Sequence, residues 1–104
     1  MANIQLTWDA TAMASASDIE NLHIFTIDGD QSSTYPQTNG QVDATAAATF
    51  AAAGTAVTQI LSKTANSYVH QNVTNPGSGK TWGVFSYNSA GYGPGSVFHF
   101  SGYS

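Results

Sequence analysis

The sequence predicts an all-β domain, an antiparallel β-sandwich, from two observations. Segments rich in β-branched and aromatic residues recur along most of the chain, and clusters of Gly, Pro, Asn and Asp separate them. Short strands at intervals of about 8–12 residues are typical of a sandwich or barrel. With 104 residues and no cysteine, the chain is long enough to bury one core without disulfide bonds. We therefore expect a single domain over residues 1–104.

The first predicted strand covers residues 3–9. Its apolar residues alternate with polar ones, which predicts a half-buried strand. The residues on its apolar face are Ile4, Leu6 and Trp8. We expect Trp8 to anchor the core, because its ring hides a large apolar area. Residues 10–18 are small and weakly patterned, and they predict a connection, with a helical turn as the alternative.

The second strand is predicted over residues 19–27. This segment is apolar on both faces, which is typical of a central strand that is covered from both sides. Residues 30–54 then form an insertion, a loop with Asn39-Gly40 as a turn signal, followed by a short helix at 43–53. Asp43 is placed to cap the start of that helix.

Strand character resumes over residues 55–63 and again over residues 66–73. In the second of these segments, alternation assigns three residues to one face, namely Tyr68, His70 and Asn72. It assigns three others to the opposite face, namely Val69, Gln71 and Val73. A turn at residues 75–79 follows, because Pro cannot donate to a ladder and Gly favours positive φ.

The longest strand contains residues 82–87, with Trp82 and Val84 on one face and Phe85 and Tyr87 on the other. A Gly/Pro-rich hairpin loop and a last strand at 97–100 follow. The predicted core residues are Trp8, Ile24, Trp82 and Val84.

Two hypotheses stay open for the face that carries Phe85. It is an exposed interface that the last strand extends, or the insertion folds over it with Tyr35 and Phe50. Under the first hypothesis, and with the first strand included, the candidate interface residues are Ile4, Leu6, Phe85, Tyr87, Phe98 and Phe100.

The charge content limits the classes of partner. Charged residues make up 8% of the chain, about a third of the usual fraction. Two basic against six acidic side chains give a net charge of −4, which argues against a nucleic-acid partner. The sequence predicts no membrane helix and no signal peptide. A neutral surface resists association poorly, so we expect partners to cover it; a neutral domain without a special partner is the alternative.

Two short motifs imitate ligand-binding loops. Residues 77–81 resemble the end of a phosphate-binding loop, but a strand is predicted after them instead of a helix. The spacing of Asp28, Asp30 and Ser32 is that of calcium ligands, but the Gly and Glu that complete such a loop are missing. We interpret both segments as turns.

The sequence offers no set of residues for catalysis. It has no cysteine and no nucleophile elbow, and its carboxylates are placed mainly in turns. The three histidines lie on separate predicted strands: His23, His70 and His99. We predict no catalytic residue, no metal site and no cofactor.

The chain resembles a fibronectin type III domain, an immunoglobulin-like sandwich, over about two-thirds of its length. The likeness rests on NSYVHQNV, TNPGSGK, TWGVFSYNSAG with YGPGS, and VFHF, and on the LTW that ends at Trp8. LTW is similar to the family's second strand, yet only Met1 to Asn3 precede that strand here. The resemblance therefore implies a sandwich that lacks its typical first strand, with residues 3–8 as an open edge.

Small stand-alone domains of this kind are similar to accessory proteins of tailed-phage virions. The resemblance implies a non-enzymatic virion structural protein, a capsid decoration (cement) subunit that is made in the host cytoplasm. Its partners would be other virion proteins such as the major capsid protein, in a homo-oligomer or repeating assembly. The alternative is a carbohydrate- or receptor-binding module of a tail or fibre. Its candidate stacking residues are Trp82, Tyr92 and Tyr103.

Overall fold

The computed structural model describes residues 2–74 and 79–100. Of these described residues, 53% are strand and 15% are helix, so the mostly-β prediction is confirmed. The elements in chain order are β1 (Ala2–Thr7), α1 (Thr11–Ser15), β2 (Asn21–Asp28), α2 (Ala44–Ala53), β3 (Thr55–Leu61), β4 (Ser67–Val73), β5 (Lys80–Asn88) and β6 (Gly91–Phe100). The predicted turn at 75–79 lies outside the described residues except for Gly79.

The strands form two antiparallel sheets. Among the described strands, one sheet has the order β3-β2-β5-β6 and the other pairs β1 with β4. The pair β1–β4 covers one face of the four-stranded sheet, because Leu6 and Val73 belong to the same buried cluster as Trp82. Helix α2 covers the opposite face, where Phe50 packs with Phe85.

The central position of β2 follows from its sequence. It pairs with β3 on one side and β5 on the other, and residues 22–26 are all buried. The predicted core residues Ile24, Trp82 and Val84 are buried, whereas Trp8 is half-buried and packs against their cluster. A strand that is apolar on both faces therefore lies between two covering layers.

The insertion covers the face that carries Phe85. Asp43 accepts a hydrogen bond from the Ala46 N–H at 2.8 Å and so caps α2. The Phe50 ring lies 5.4 Å from the Phe85 ring, and both residues are fully buried. The hypothesis that the insertion folds over this face is therefore correct for Phe85. This residue lies in the interior and not at an exposed interface.

Phe85 lies between glycines on two strands. A Cβ atom on Gly83 would overlap the Phe85 ring, and one on Gly95 would overlap the same ring and the Val84 carbonyl oxygen. Gly83 precedes Phe85 by two residues on the same face of β5, and Gly95 is its cross-strand partner on β6. The ring thus fills the space that two missing side chains leave.

Strand β6 is longer than the sequence predicts. It begins at Gly91, so the predicted loop is part of the strand. The register against β5 shifts between Phe85 and Tyr87, whose partners are Gly95 and Tyr92. Pro94 falls inside this irregularity, where its missing N–H costs no ladder hydrogen bond.

Alternation fails at the end of β4. Asn72 has a φ of 58°, and the pairing with β1 gains one residue on β4 between His70 and Val73. Such a bulge moves the following side chain to the other face. Val73 is therefore buried and Asn72 exposed, and the predicted faces are wrong for both residues.

Candidate functional site

The outer edge of β6 is covered by the insertion. Val42 and Gly95 exchange two backbone hydrogen bonds, at 2.8 and 3.3 Å. Two residues further along, the side-chain amide of Gln37 takes the place of a strand: its oxygen accepts the Val97 N–H at 2.9 Å and its NH₂ donates to the Val97 carbonyl at 3.0 Å. Both bonds of an antiparallel pair are thereby supplied to Val97.

A tight turn brings these two residues to the edge. Thr38 and Gln41 exchange backbone hydrogen bonds at 2.8 and 3.1 Å, and Asn39 and Gly40 between them have φ values of 54° and 77°. Positive φ at both central residues is the type I′ turn that Asn-Gly favours. The Asn-Gly turn that the sequence predicts thus reverses the chain between Gln37 and Val42, the two residues that cover the edge of β6.

The outer edges of β3 and β4 are irregular. The register of β3 against β2 shifts twice, on either side of Ile24. Strand β4 carries the bulge at Asn72. Bulges hinder the pairing of a further strand, because they interrupt the row of backbone groups. Ile60 on β3 is 86% exposed, but one isolated apolar residue is normal on a surface.

The outer edge of β1 is regular and open. Trp8 donates its N–H to the Asn66 carbonyl at 3.0 Å, and the register runs without a shift from Ile4 to Thr7. Bonded and non-bonded pairs alternate, so the backbone groups of Gln5 and Thr7 point away from β4. Within residues 2–74 and 79–100, no hydrogen-bond partner faces these groups.

An apolar groove lies beside this open edge. It has a volume of about 240 Å³, and β1 forms one wall while Trp82 and β6 form the other. Its described lining contains no Asp, Glu, Lys or Arg, but it includes the titratable His99. Four of the six predicted interface residues line this one groove: Ile4, Leu6, Phe98 and Phe100. Leu6 is itself buried, Ile4 and Phe98 are half-buried, and Phe100 is 37% exposed.

Tyr87, a further predicted interface residue, lies on the other face with Tyr92 and His23. Its ring stacks on the His23 ring at 4.0 Å, and the Tyr92 hydroxyl lies 2.9 Å from His23 Nδ1. Burial lowers the pKa of His23 and raises the pKa of Tyr92. These three rings therefore form an aromatic cluster at one end of the core.

The candidates for sugar stacking do not come together. Trp82 is 1% exposed and lies inside the sandwich. Its indole N–H donates to His70 Nδ1 at 3.0 Å. Because His70 Nδ1 accepts this hydrogen bond, it carries no proton. Burial and then the Lys80 ammonium lower the pKa of His70. Tyr103 lies outside the described residues.

Asp30, His99 and Thr81 lie in a row but form no catalytic group. His99 Nε2 is 3.8 Å from an Asp30 oxygen, and His99 Nδ1 is 3.3 Å from the Thr81 hydroxyl. That hydroxyl is fully buried, donates to the Gly29 carbonyl at 2.8 Å and accepts the Gln31 N–H at 3.0 Å. It has neither access to a substrate nor a free proton to transfer.

The acidic turn after β2 does not form a ligand cluster. Asp28 forms an ion pair with Lys80, and Asp30 accepts the Ser32 N–H at 2.9 Å. In the described part of the chain, no three His, Asp or Glu side chains converge as metal ligands would. Nor is any described helix long and apolar enough to cross a membrane.

Outward-facing backbone groups beside an apolar lining make the β1 edge and its groove the candidate site, and comparisons with known proteins add no relative to it. No family model, curated protein or solved structure matches the chain.

Proposed function

We propose that the chain is a non-enzymatic structural subunit of a virion that docks on a repeating protein lattice, specifically a capsid decoration (cement) protein. The observation that carries the proposal is the open edge of β1 beside an apolar groove. Unpaired backbone groups and an apolar surface are together what a neighbouring protein covers when a strand is added to a sheet.

The contrast between the edges supports this proposal. The insertion closes β6 through Gln37 and Val42, and bulges interrupt β3 and β4, whereas no described residue gives β1 either protection. Proteins that stay monomeric manage such edges explicitly. An edge left regular in a chain that protects its other edges is therefore best explained by a partner.

The strand order also supports a fibronectin type III-like interpretation of the fold. In immunoglobulin-like sandwiches, the first strand pairs with the second, on the sheet that opposes the C-F-G strands. If β1 is the second strand and β4 the fifth, the place of the first strand is the open edge beside Gln5 and Thr7. This interpretation places the first strand of such a sandwich beside the groove.

The low charge of the chain favours a partner whose contacting surface is also uncharged. With 8% charged residues in the chain and no Asp, Glu, Lys or Arg among the described residues that line the groove, the contact would rest on apolar burial and main-chain hydrogen bonds. Such a contact depends little on ionic strength, because salt screens only charges. A decoration subunit must stay bound when the salt around a virion changes.

The test uses capsids of the virus that encodes the chain, purified without this protein. We expect the added protein to sediment with expanded capsids and to protect them against heat and low salt. Gln5→Lys should weaken binding, since an edge lysine hinders strand addition. Gln71→Lys makes the same change at an exposed position of β4 and should not. Capsids that neither bind nor gain resistance would refute the proposal.

The alternative, a carbohydrate- or receptor-binding module, has one supporting feature. Tyr87 and Tyr92 are both partly exposed and lie 5.2 Å apart. Binding of the isolated protein to a glycan array, lost in Tyr92→Ala and kept in Gln5→Lys, would favour this function over the first.

A further inference from the structure

We infer that the β1 edge receives a single extended, uncharged segment of four to five residues from a neighbouring protein, with apolar side chains at alternate positions. The inference rests on the proposed function, because it specifies the partner of the same site. It follows from the backbone of β1, the lining of the groove and the layer beneath it.

The backbone groups determine the conformation of the partner. The outward N–H and C=O groups of Gln5 and Thr7 are two residues apart, which is about 6.8 Å along a strand. Only another extended backbone offers donors and acceptors in one row at that repeat. The regular register of β1 from Ile4 to Thr7 limits the paired length to four or five residues.

The groove determines the side chains of the partner. A strand added to β1 lies about 4.8 Å from it and projects every second side chain toward the four-stranded sheet. Those side chains would enter the groove between Leu6 and Phe98. Its volume of about 240 Å³ corresponds to roughly eight water molecules. The described lining contains no Asp, Glu, Lys or Arg, and its titratable residue His99 already lies 3.8 Å from an Asp30 carboxylate oxygen. A charged side chain there would therefore lose its hydration with little compensation.

The position of β6 favours one strand over a second copy of the whole sheet. Because β6 lines the groove opposite β1, the space next to β1 lies above this chain's own four-stranded sheet. A two-fold pairing with the β1 of another copy would bring that copy's β6 beneath the same two strands. One added strand meets no such conflict.

The test measures hydrogen exchange of the backbone amides in the ¹⁵N-labelled full chain. The ligand is a peptide that contains Thr-Val-Thr-Val-Thr-Val-Thr and a Gly/Ser tail for solubility. Its N-terminus is acetylated and its C-terminus is amidated. We expect the peptide to slow exchange of the Gln5 and Thr7 amides at least tenfold and to leave Val69 and Gln71 on β4 unchanged. A peptide with Lys in place of Val should have no effect. A peptide that is N-methylated at alternate residues should have none either, because it lacks the donors that face β1.

Each other result would overturn the inference. If the peptide slowed amide exchange on β4 as much as on β1, no specific strand addition would occur. The same conclusion would follow if the Lys peptide or the N-methylated peptide protected the Gln5 and Thr7 amides. Protection of Gln5 in the free protein that rises with protein concentration would identify a second copy as the occupant. Concentration-independent protection that is lost in a chain ending at Phe100 would identify residues 101–104. Capsid binding tests the proposed function separately, since the peptide experiment contains no capsid.

Discussion

Replacing Gln37 by Ala should destabilise the fold by removing the cover of β6. The side-chain amide makes two hydrogen bonds to the backbone of Val97, at 2.9 and 3.0 Å. At about 1 kcal/mol each, their loss should lower the free energy of unfolding by about 2 kcal/mol. In urea this corresponds to a decrease of roughly 1 M in the unfolding midpoint. The freed edge should also make the variant associate at high concentration.

Two further variants make this experiment decisive. Gln37→Glu keeps an acceptor for the Val97 N–H but cannot donate to the Val97 carbonyl, so we expect it to be at least as destabilised at neutral pH. Gln41→Ala is the matched control, because Gln41 is exposed and its side chain makes no hydrogen bond to a described residue. If urea denaturation gave Gln37→Ala and Gln41→Ala the same midpoint, the role assigned to Gln37 would be refuted.

The remaining predictions concern the core and its titration. Phe50→Ala should cost about 3–5 kcal/mol in urea denaturation, while Ile60→Ala, at an 86% exposed position, should change stability by less than about 0.5 kcal/mol. Gly83→Ala should cost about 1–3 kcal/mol by overpacking against Phe85, and an unchanged midpoint would contradict the packing. The folded chain holds the pKa of His70 below 6.5, so the unfolded chain takes up the proton first. Stability should therefore fall as pH drops below about 6.5, and less in His70→Asn; a pH-independent midpoint would contradict this.

The parts of the fold that depend on local periodicity could be predicted from the sequence. The opposite faces of Trp82 and Phe85 follow from the two-residue repeat of a strand, and the central place of β2 from its apolar residues on both sides. The helix at 43–53 follows from Asp43 and a run of alanines. In each case neighbouring residues contain the whole signal.

The parts that depend on distant contacts could not be predicted. The bulge at Asn72 reverses Val73, and alternation gives no sign of where a ladder gains a residue. Gln37 is one of several polar residues in a loop, and only the fold brings its amide to Val97, 60 residues away. The candidate site was partly predictable: the apolar residues of β1 and β6 were identified, but whether they face one groove depends on how two sheets pack.

The contact among Phe85, Gly83 and Gly95 has a consequence for the evolution of such chains. A larger residue at Gly83 is accommodated only if the Phe85 ring is replaced by a smaller group, and a smaller group alone leaves a void beneath α2. A Cβ atom on Gly95 would also overlap the Val84 carbonyl oxygen, which no change of the ring relieves. In descendants of this sequence, we therefore expect positions 83 and 85 to change together and Gly95 to remain glycine.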